Sequence, residues 1–126
     1  MKVLKTKLSG CVIIEPDVFT DDRGFFFESF QANRYSDTAG ITMPFVQDNH
    51  SCSSKDVLRG LHFQKTRPQG KLVRVIRGEV FDVALDIRKD SPTFGLWEAI
   101  ILSGENKKQF WVPPGFAHGF LVLSET

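Results

Sequence analysis

The sequence predicts an all-β protein whose strands close into a jelly roll or a related double-sheet β-barrel with one short helix. Short runs of β-branched and aromatic residues recur along the chain, and such residues favour strands. Gly, Pro, Asp and Asn separate these runs, as in turns between antiparallel strands. The 126 residues suffice for a single domain, residues 1–126, but not for two. Closure of the sheet would remove free strand edges and leave an interior for a small ligand.

In chain order, the first predicted strand is the β-branched run 12–14, which Glu15 and Pro16 interrupt. A turn over 21–24 leads to the phenylalanine-rich strand 25–29. Segment 30–40 lacks period-two alternation, and Gly40 can end a helix, so a short surface helix is predicted there.

The predicted strands continue after this helix and bring the total to nine. Turns at 77–79, 103–106 and 113–115 contain residues that tolerate or fix turn dihedral angles. The remaining strands are 45–51, 57–63, 71–77, 80–87, 96–102, 109–112 and 117–123. The phenylalanines at 25, 26, 27 and 30 are expected mostly in the core, although one could stack on a base or sugar.

Balanced charge excludes several classes of partner. Sixteen Lys and Arg residues against 15 Asp and Glu residues give a net charge of +1, so no global electric field favours binding to nucleic acid or to an anionic membrane.

The two cysteines, Cys11 and Cys52, are too few and too far apart for a disulfide framework. The N-terminal apolar run is too short for a signal peptide or a membrane span. We therefore expect a cytoplasmic protein with free thiols and with neither nucleic acid nor a membrane as a partner.

His62 is the leading candidate for a catalytic base. It lies in segment 59–64, RGLHFQ, and a free imidazole accepts protons near neutral pH. Strand alternation puts Arg59 and His62 on opposite faces unless a bulge at Gly60 resets the register. Many histidines in small domains are structural, and from residue type alone that alternative stays open.

Other polar side chains on the predicted strands are candidates for anion binding. If the strand face that Lys71 shares with Val73 points inward, its ammonium group needs an anionic partner to offset desolvation. The alternative is a lysine that extends from a strand end into solvent. Arginine suits phosphate, and the chain has no glycine-rich phosphate loop. The polar candidates are Arg23, Glu28, Gln47, Asn49 and Arg59, each of which could instead be an ordinary surface residue.

The histidines do not favour a metal centre. His50, His62 and His118 could converge from separate strands, since imidazole is a common ligand. Metal-binding barrels of this class usually present two histidines two residues apart, whereas Gln64 follows His62 at that spacing. We therefore expect no metal site.

Six segments resemble the successive motifs of dTDP-4-dehydrorhamnose 3,5-epimerases. Together they extend over nearly the whole chain, and six matches in the right order are far more specific than any one of them. The segments are 22–28 (DRGFFFE), 47–51 (QDNHS), 58–64 (LRGLHFQ), 70–75 (GKLVRV), 78–88 (GEVFDVALDIR) and 113–120 (PPGFAHGF).

The resemblance implies a cupin-like jelly roll, a homodimer, and an epimerase without metal or cofactor. The implied reaction inverts C3 and C5 of dTDP-4-dehydro-6-deoxy-D-glucose on the route to dTDP-L-rhamnose. By the same resemblance, His62 is the base and Lys71 lies near the C4 oxygen of the substrate. The implied substrate-binding residues are Arg23, Glu28, Gln47, Asn49, Arg59 and His118.

The chain departs from the family pattern at its C-terminal end. The family's proton donor is a tyrosine beyond the His-Gly-Phe block, and a later aspartate orients the histidine; the chain as given ends at Thr126, before both. Its one tyrosine, Tyr35, lies in the predicted helix and does not match. We expect either part of a longer product or a protein without this acid. Two alternatives therefore stay open: a single-centre epimerase or ketoisomerase, and a non-catalytic dTDP-sugar-binding module.

Overall fold

Ten strands and one helix make up the protein, and the computed structural model describes residues 1–126. The helix, α1 (Ala32–Ala39), is too short and too polar to cross a membrane. The strands are β1 (Lys2–Lys5), β2 (Val12–Glu15), β3 (Val18–Asp21), β4 (Gly24–Phe27), β5 (Leu58–His62), β6 (Lys71–Arg74), β7 (Glu79–Asp86), β8 (Trp97–Ser103), β9 (Gln109–Val112) and β10 (Phe116–Val122).

Two four-stranded antiparallel sheets enclose the main core. Their strand orders are β1-β2-β9-β6 and β5-β10-β7-β8, while β3 and β4 form a separate hairpin. Buried side chains from both sheets meet between them, among them Ala84 and Leu102 from one sheet and Phe110 and Val112 from the other. This double-sheet architecture with one helix confirms the predicted cupin-like jelly roll.

The helix α1 covers the outer face of the first sheet. The Gln31 side chain caps its N-terminus, and Gly40, with φ of 72°, ends it in the left-handed conformation that glycine adopts without steric cost. Tyr35 is buried against the sheet, and its hydroxyl lies 2.9 Å from the Ser29 carbonyl oxygen and 2.8 Å from Gln109 Oε1. The predicted helix and its stop are therefore confirmed, and Tyr35 joins the helix to the sheet.

Asp86, at the end of β7, ties down the loop that follows. Its buried carboxylate accepts hydrogen bonds from the side chains of Arg88, Ser91 and Thr93 at 2.6–3.0 Å. Burial alone would raise the pKa of Asp86, but these hydrogen bonds outweigh burial and hold the pKa below its usual range. The ionised Asp86 carboxylate thus joins three residues of the loop to the end of β7.

Several sequence predictions are wrong in detail. Segment 45–51 is not a strand, β6 ends at Arg74 rather than at 77, and β1 and β3 were not predicted. The phenylalanines at 25 and 26 are not in the core: their side chains are 60% and 72% exposed on the β3–β4 hairpin. The strands of this hairpin pair only with each other, so no second layer buries these rings.

Candidate active site

The inward face of the second sheet carries both candidate histidines in one row. The strand register aligns Glu98 of β8 with Ala84 of β7, Ala84 with His118 of β10, and His118 with His62 of β5. Directly opposed residues have side chains within a few ångströms of each other on the same face. His62 and His118, 56 positions apart in the sequence, are therefore neighbours because β5 and β10 pair.

A β-bulge in β5 places Arg59 and His62 on the same face. These residues are three positions apart on β5, whereas their partners on β10 are only two apart. The extra residue resets the alternation of side chains. The two backbones are in close contact here, because a Cβ on Gly60 would lie 2.7 Å from Gly119 Cα. The bulge near Gly60, which the sequence left as the condition for a shared face, is therefore present.

A buried carboxylate supports His118 from the neighbouring strand. His118 Nε2 lies 2.8 Å from Oδ1 of Asp82, whose side chain is fully buried. Burial raises the pKa of Asp82; the hydrogen bond from His118 and the charge of Lys71 oppose this, but the net pKa stays raised. No role for Asp82 is predicted from the sequence, although a carboxylate at an inward position of the apolar strand 80–87 is a detectable signal.

Lys71 points into the space between the sheets. Val73, on the same face of β6, packs against the core, so the inward alternative for Lys71 is correct. Its side chain is half-buried and makes neither an ion pair nor a hydrogen bond in the protein. Lys71 lines a small cleft next to the end of β5, together with Phe63, Gln64 and Phe116. A cation with no protein partner here is free to interact with an anionic ligand.

Three other predicted residues lie closer to the surface. Arg59 is anchored by a 2.9 Å hydrogen bond that its Nε donates to Ser53 Oγ. Gln47 and Asn49 lie in the exposed segment between α1 and β5, where the Gln47 amide donates to Asn49 Oδ1 at 3.1 Å. Arg59 thus shares the face of His62 but is exposed on the edge strand β5, whereas the two amides lie on a loop outside the sheets.

The predicted residues Arg23 and Glu28 are not brought together with His62. Arg23 is at the tip of the β3–β4 hairpin, its side chain is 91% exposed, and it pairs with Asp21 at 2.6 Å. Hydrogen bonds from Arg23 lower the pKa of Asp21. Glu28 follows the hairpin and forms an exposed ion pair with Arg34 of α1 at 2.5 Å.

Both cysteines are free, as predicted. Burial, with the charge of Glu98, raises the pKa of the Cys11 thiol to about 12, so this thiol is not a nucleophile. Cys52 is exposed.

No group of three His, Cys, Asp or Glu side chains is arranged to hold a metal ion. The expectation that the protein needs no metal stays a prediction.

Known proteins match this chain along nearly its entire length. A family model described as dTDP-4-dehydrorhamnose 3,5-epimerase matches residues 5–126. The protein of that name from Salmonella typhimurium is 60% identical over 126 residues, which are 99% of this chain and 69% of the Salmonella protein. Its counterpart from Methanothermobacter thermautotrophicus is 56% identical over 124 residues, covering 98% of this chain and 66% of that protein.

A solved structure gives the same result. The crystal structure of dTDP-6-deoxy-D-glucose-3,5-epimerase from Legionella pneumophila, in complex with dTDP-4-keto-L-rhamnose, matches with a TM-score of 0.96 and 62% identity over 98% of this chain and 66% of that chain. The chain thus spans about two thirds of the length of these relatives. It belongs to the dTDP-4-dehydrorhamnose 3,5-epimerase family, as its six motifs predict.

Proposed function

We propose that this chain carries the base and the cation of a sugar-nucleotide epimerase that inverts C3 and C5 of dTDP-4-dehydro-6-deoxy-D-glucose. The observation that carries the proposal is the inward group of His62, Arg59 and His118 on the second sheet, with the unpaired ammonium group of Lys71 on the inward face of the first sheet. This group combines a proton acceptor with donors for an anion.

The chemistry follows from the position of the ketone. Protons at C3 and C5 both flank the C4 carbonyl, so removal of either gives an enolate whose charge collects on the C4 oxygen. His62 removes the proton as a general base. Lys71 stabilises the developing oxyanion, and such preorganised charge typically contributes a factor of about 10²–10³ in rate. One base and one cation thus serve both centres.

Inversion also requires a proton donor on the opposite face of the sugar ring. Tyr35 is not this donor, because its hydroxyl is engaged by Ser29 and Gln109 on the outer side of the first sheet.

The reaction itself requires no metal or cofactor, because a base, an acid and a cation suffice next to a ketone. We place the enzyme in the cytoplasm, where its free thiols stay reduced.

The proposed functional unit is a homodimer. Phe19, Phe25 and Phe26 are exposed on the β3–β4 hairpin, and Leu58 and Trp97 are exposed on the outer face of the second sheet. Exposed apolar patches of this kind are typical of protein interfaces. Arg23 lies on the same hairpin. In the proposed dimer this hairpin packs against the partner subunit and places Arg23, a predicted substrate-binding residue, at the partner's site.

Deuterium exchange tests the proposed reaction directly. The protein is incubated with dTDP-4-dehydro-6-deoxy-D-glucose in heavy water, and deuterium at C3 and C5 is followed by NMR. Exchange at both carbons is expected. Exchange at one carbon identifies a single-centre enzyme instead, and saturable binding without exchange identifies a binding module.

A further inference from the structure

Asp82 is a buried carboxylate that the proposed reaction does not use. Its side chain is fully buried on the inward face of β7, and Oδ2 has no hydrogen-bond partner in the protein. A buried carboxylate oxygen without a partner costs free energy of folding. An apolar side chain of similar size would avoid this cost, so stability alone does not explain an aspartate at this position.

His118 links this carboxylate to the candidate site. The Nε2 atom of its ring lies 2.8 Å from Asp82 Oδ1, and its other nitrogen, Nδ1, makes no hydrogen bond within the protein. His118 is also the direct cross-strand partner of His62. One edge of the imidazole is therefore fixed by Asp82, and the other is available next to the proposed base.

Charged and titratable groups surround the pair on the neighbouring strands. They are His62 on β5, Lys71 on β6, Glu98 on β8 and the Cys11 thiol just before β2. The groups that stabilise the ionised form of Asp82 are His118 and Lys71, and both are predicted site residues. The pKa of Asp82 therefore depends on the same side chains that are proposed to contact the substrate.

We propose that Asp82 is a positioning residue that accepts the Nε2 proton of His118, fixes the ring, and leaves Nδ1 to face the sugar nucleotide. A carboxylate only accepts hydrogen bonds, so it enforces one tautomer, whereas a freely rotating imidazole presents either nitrogen. The inference rests on the proposed epimerase function and adds to it a defined tautomer at a substrate-binding position.

The tautomer is measured without substrate. A long-range ¹H–¹⁵N correlation spectrum of ¹⁵N-histidine-labelled protein, with His118→Gln for assignment, is expected to show a protonated Nε2. In Asp82→Asn the amide can donate as well as accept, so the His118 signals should move toward the Nδ1-protonated form. A wild-type ring protonated only at Nδ1, or signals that Asp82→Asn leaves in place, would overturn the proposal.

Deuterium exchange gives the second readout. Asp82→Asn should slow exchange by at least roughly 10–100-fold, the range found when the carboxylate partner of a metal-bound histidine is removed. Asp86→Asn is the matched control, because Asp86 is a buried aspartate on the same face of β7 that bonds to a loop instead of His118, and it should keep the wild-type rate while folded. Equal rates in both variants would contradict the role of Asp82. Absence of exchange in the wild type would count against the epimerase function, and the nitrogen spectra would still decide the role of Asp82.

Discussion

The functional assignments of individual residues depend on which groups already have partners in the protein. Asp86 and Tyr35 are fully engaged in hydrogen bonds that hold the fold. Lys71, by contrast, is half-buried and lacks a partner. Polar groups removed from water are favourable only when they find partners, and for Lys71 the proposed partner is the enolate oxygen of the substrate.

Replacing Lys71 with methionine tests this assignment. Lys71→Met keeps the length and apolar stem of the side chain but removes the charge. The rate of deuterium exchange should fall by roughly 10²–10³-fold, as when an oxyanion donor is lost, and NMR of the substrate carbons measures it. The control Lys89→Met removes a charge from an exposed lysine and should leave the rate unchanged. Similar rates for both variants would exclude Lys71 from enolate stabilisation.

The sequence identifies the candidate site residues themselves more readily than the side chains that contact them in the folded protein. His62 and Lys71 were identifiable because each interrupts an apolar alternating strand. The contact between Asp82 and His118 was not, because it depends on the pairing of β7 with β10, whose residues are 36 positions apart. Cross-strand contacts of this kind become visible only when the register is known.

At the scale of elements, the bulge in β5 determines what the site contains. Without it, Arg59 and His62 would point to opposite sides of the sheet. Strand alternation alone predicted that conflict, and the glycine suggested its resolution. Segment 45–51, in contrast, has residues that favour strands only at its start. Because no neighbouring strand supplies hydrogen bonds to it, this local propensity does not produce a strand.

Gly60→Ala is expected to disrupt the bulge. The added Cβ would lie 2.7 Å from Gly119 Cα and from the His118 carbonyl oxygen, so β5 and β10 must separate. Gly95→Ala is the control, since Gly95 also has a positive φ but nothing lies within 4 Å of its Cβ position. Gly95→Ala should cost about 1–2 kcal/mol for the left-handed backbone alone. Gly60→Ala should cost more and should also abolish exchange; equal unfolding free energies in urea would contradict the close contact.

The Asp86 network makes a pH-dependent contribution to stability. Because the pKa of Asp86 is lowered in the folded protein, its contribution is complete above the unfolded pKa of about 4 and is lost as pH falls toward the folded pKa. Asp86→Asn should therefore destabilise the protein by roughly 3 kcal/mol at pH 7, and the difference from wild type should shrink below about pH 4.

The control for this prediction is Asp90→Asn. Asp90 is exposed in the following loop, and its replacement should change the unfolding free energy by less than about 0.5 kcal/mol. Urea titrations at pH 7 and at lower pH measure both differences. A destabilisation by Asp86→Asn that does not depend on pH would contradict the role of the ionised carboxylate.

At the scale of the whole molecule, exposed aromatic side chains are the main departure from the sequence prediction. Phe25 and Phe26 were expected in the core because phenylalanine usually is. Composition fixes how many apolar side chains a chain has, but not which of them are covered by its own layers. The jelly roll itself was predictable, because strand length and turn spacing carry most of that information.

Self-association is the corresponding prediction. Sedimentation equilibrium should give about twice the 14.3 kDa mass of the chain, and Phe26→Glu should weaken the dimer by at least about 30-fold, as for an interface hot spot. The control Val46→Glu changes an apolar side chain that is 92% exposed but lies outside the hairpin, and it should leave the dimer intact. A monomer at all concentrations would contradict the proposed assembly.

The proposal that His62 is the base for both centres is tested most directly by deuterium exchange in His62→Gln. Glutamine keeps hydrogen-bonding capacity at this position but cannot accept the proton. Circular dichroism and binding of the sugar nucleotide establish that the variant is folded and occupied. Loss of exchange at C3 and C5 together, by at least roughly 10²-fold, is the predicted result; exchange that persists at either carbon at the wild-type rate would contradict a single base acting at both.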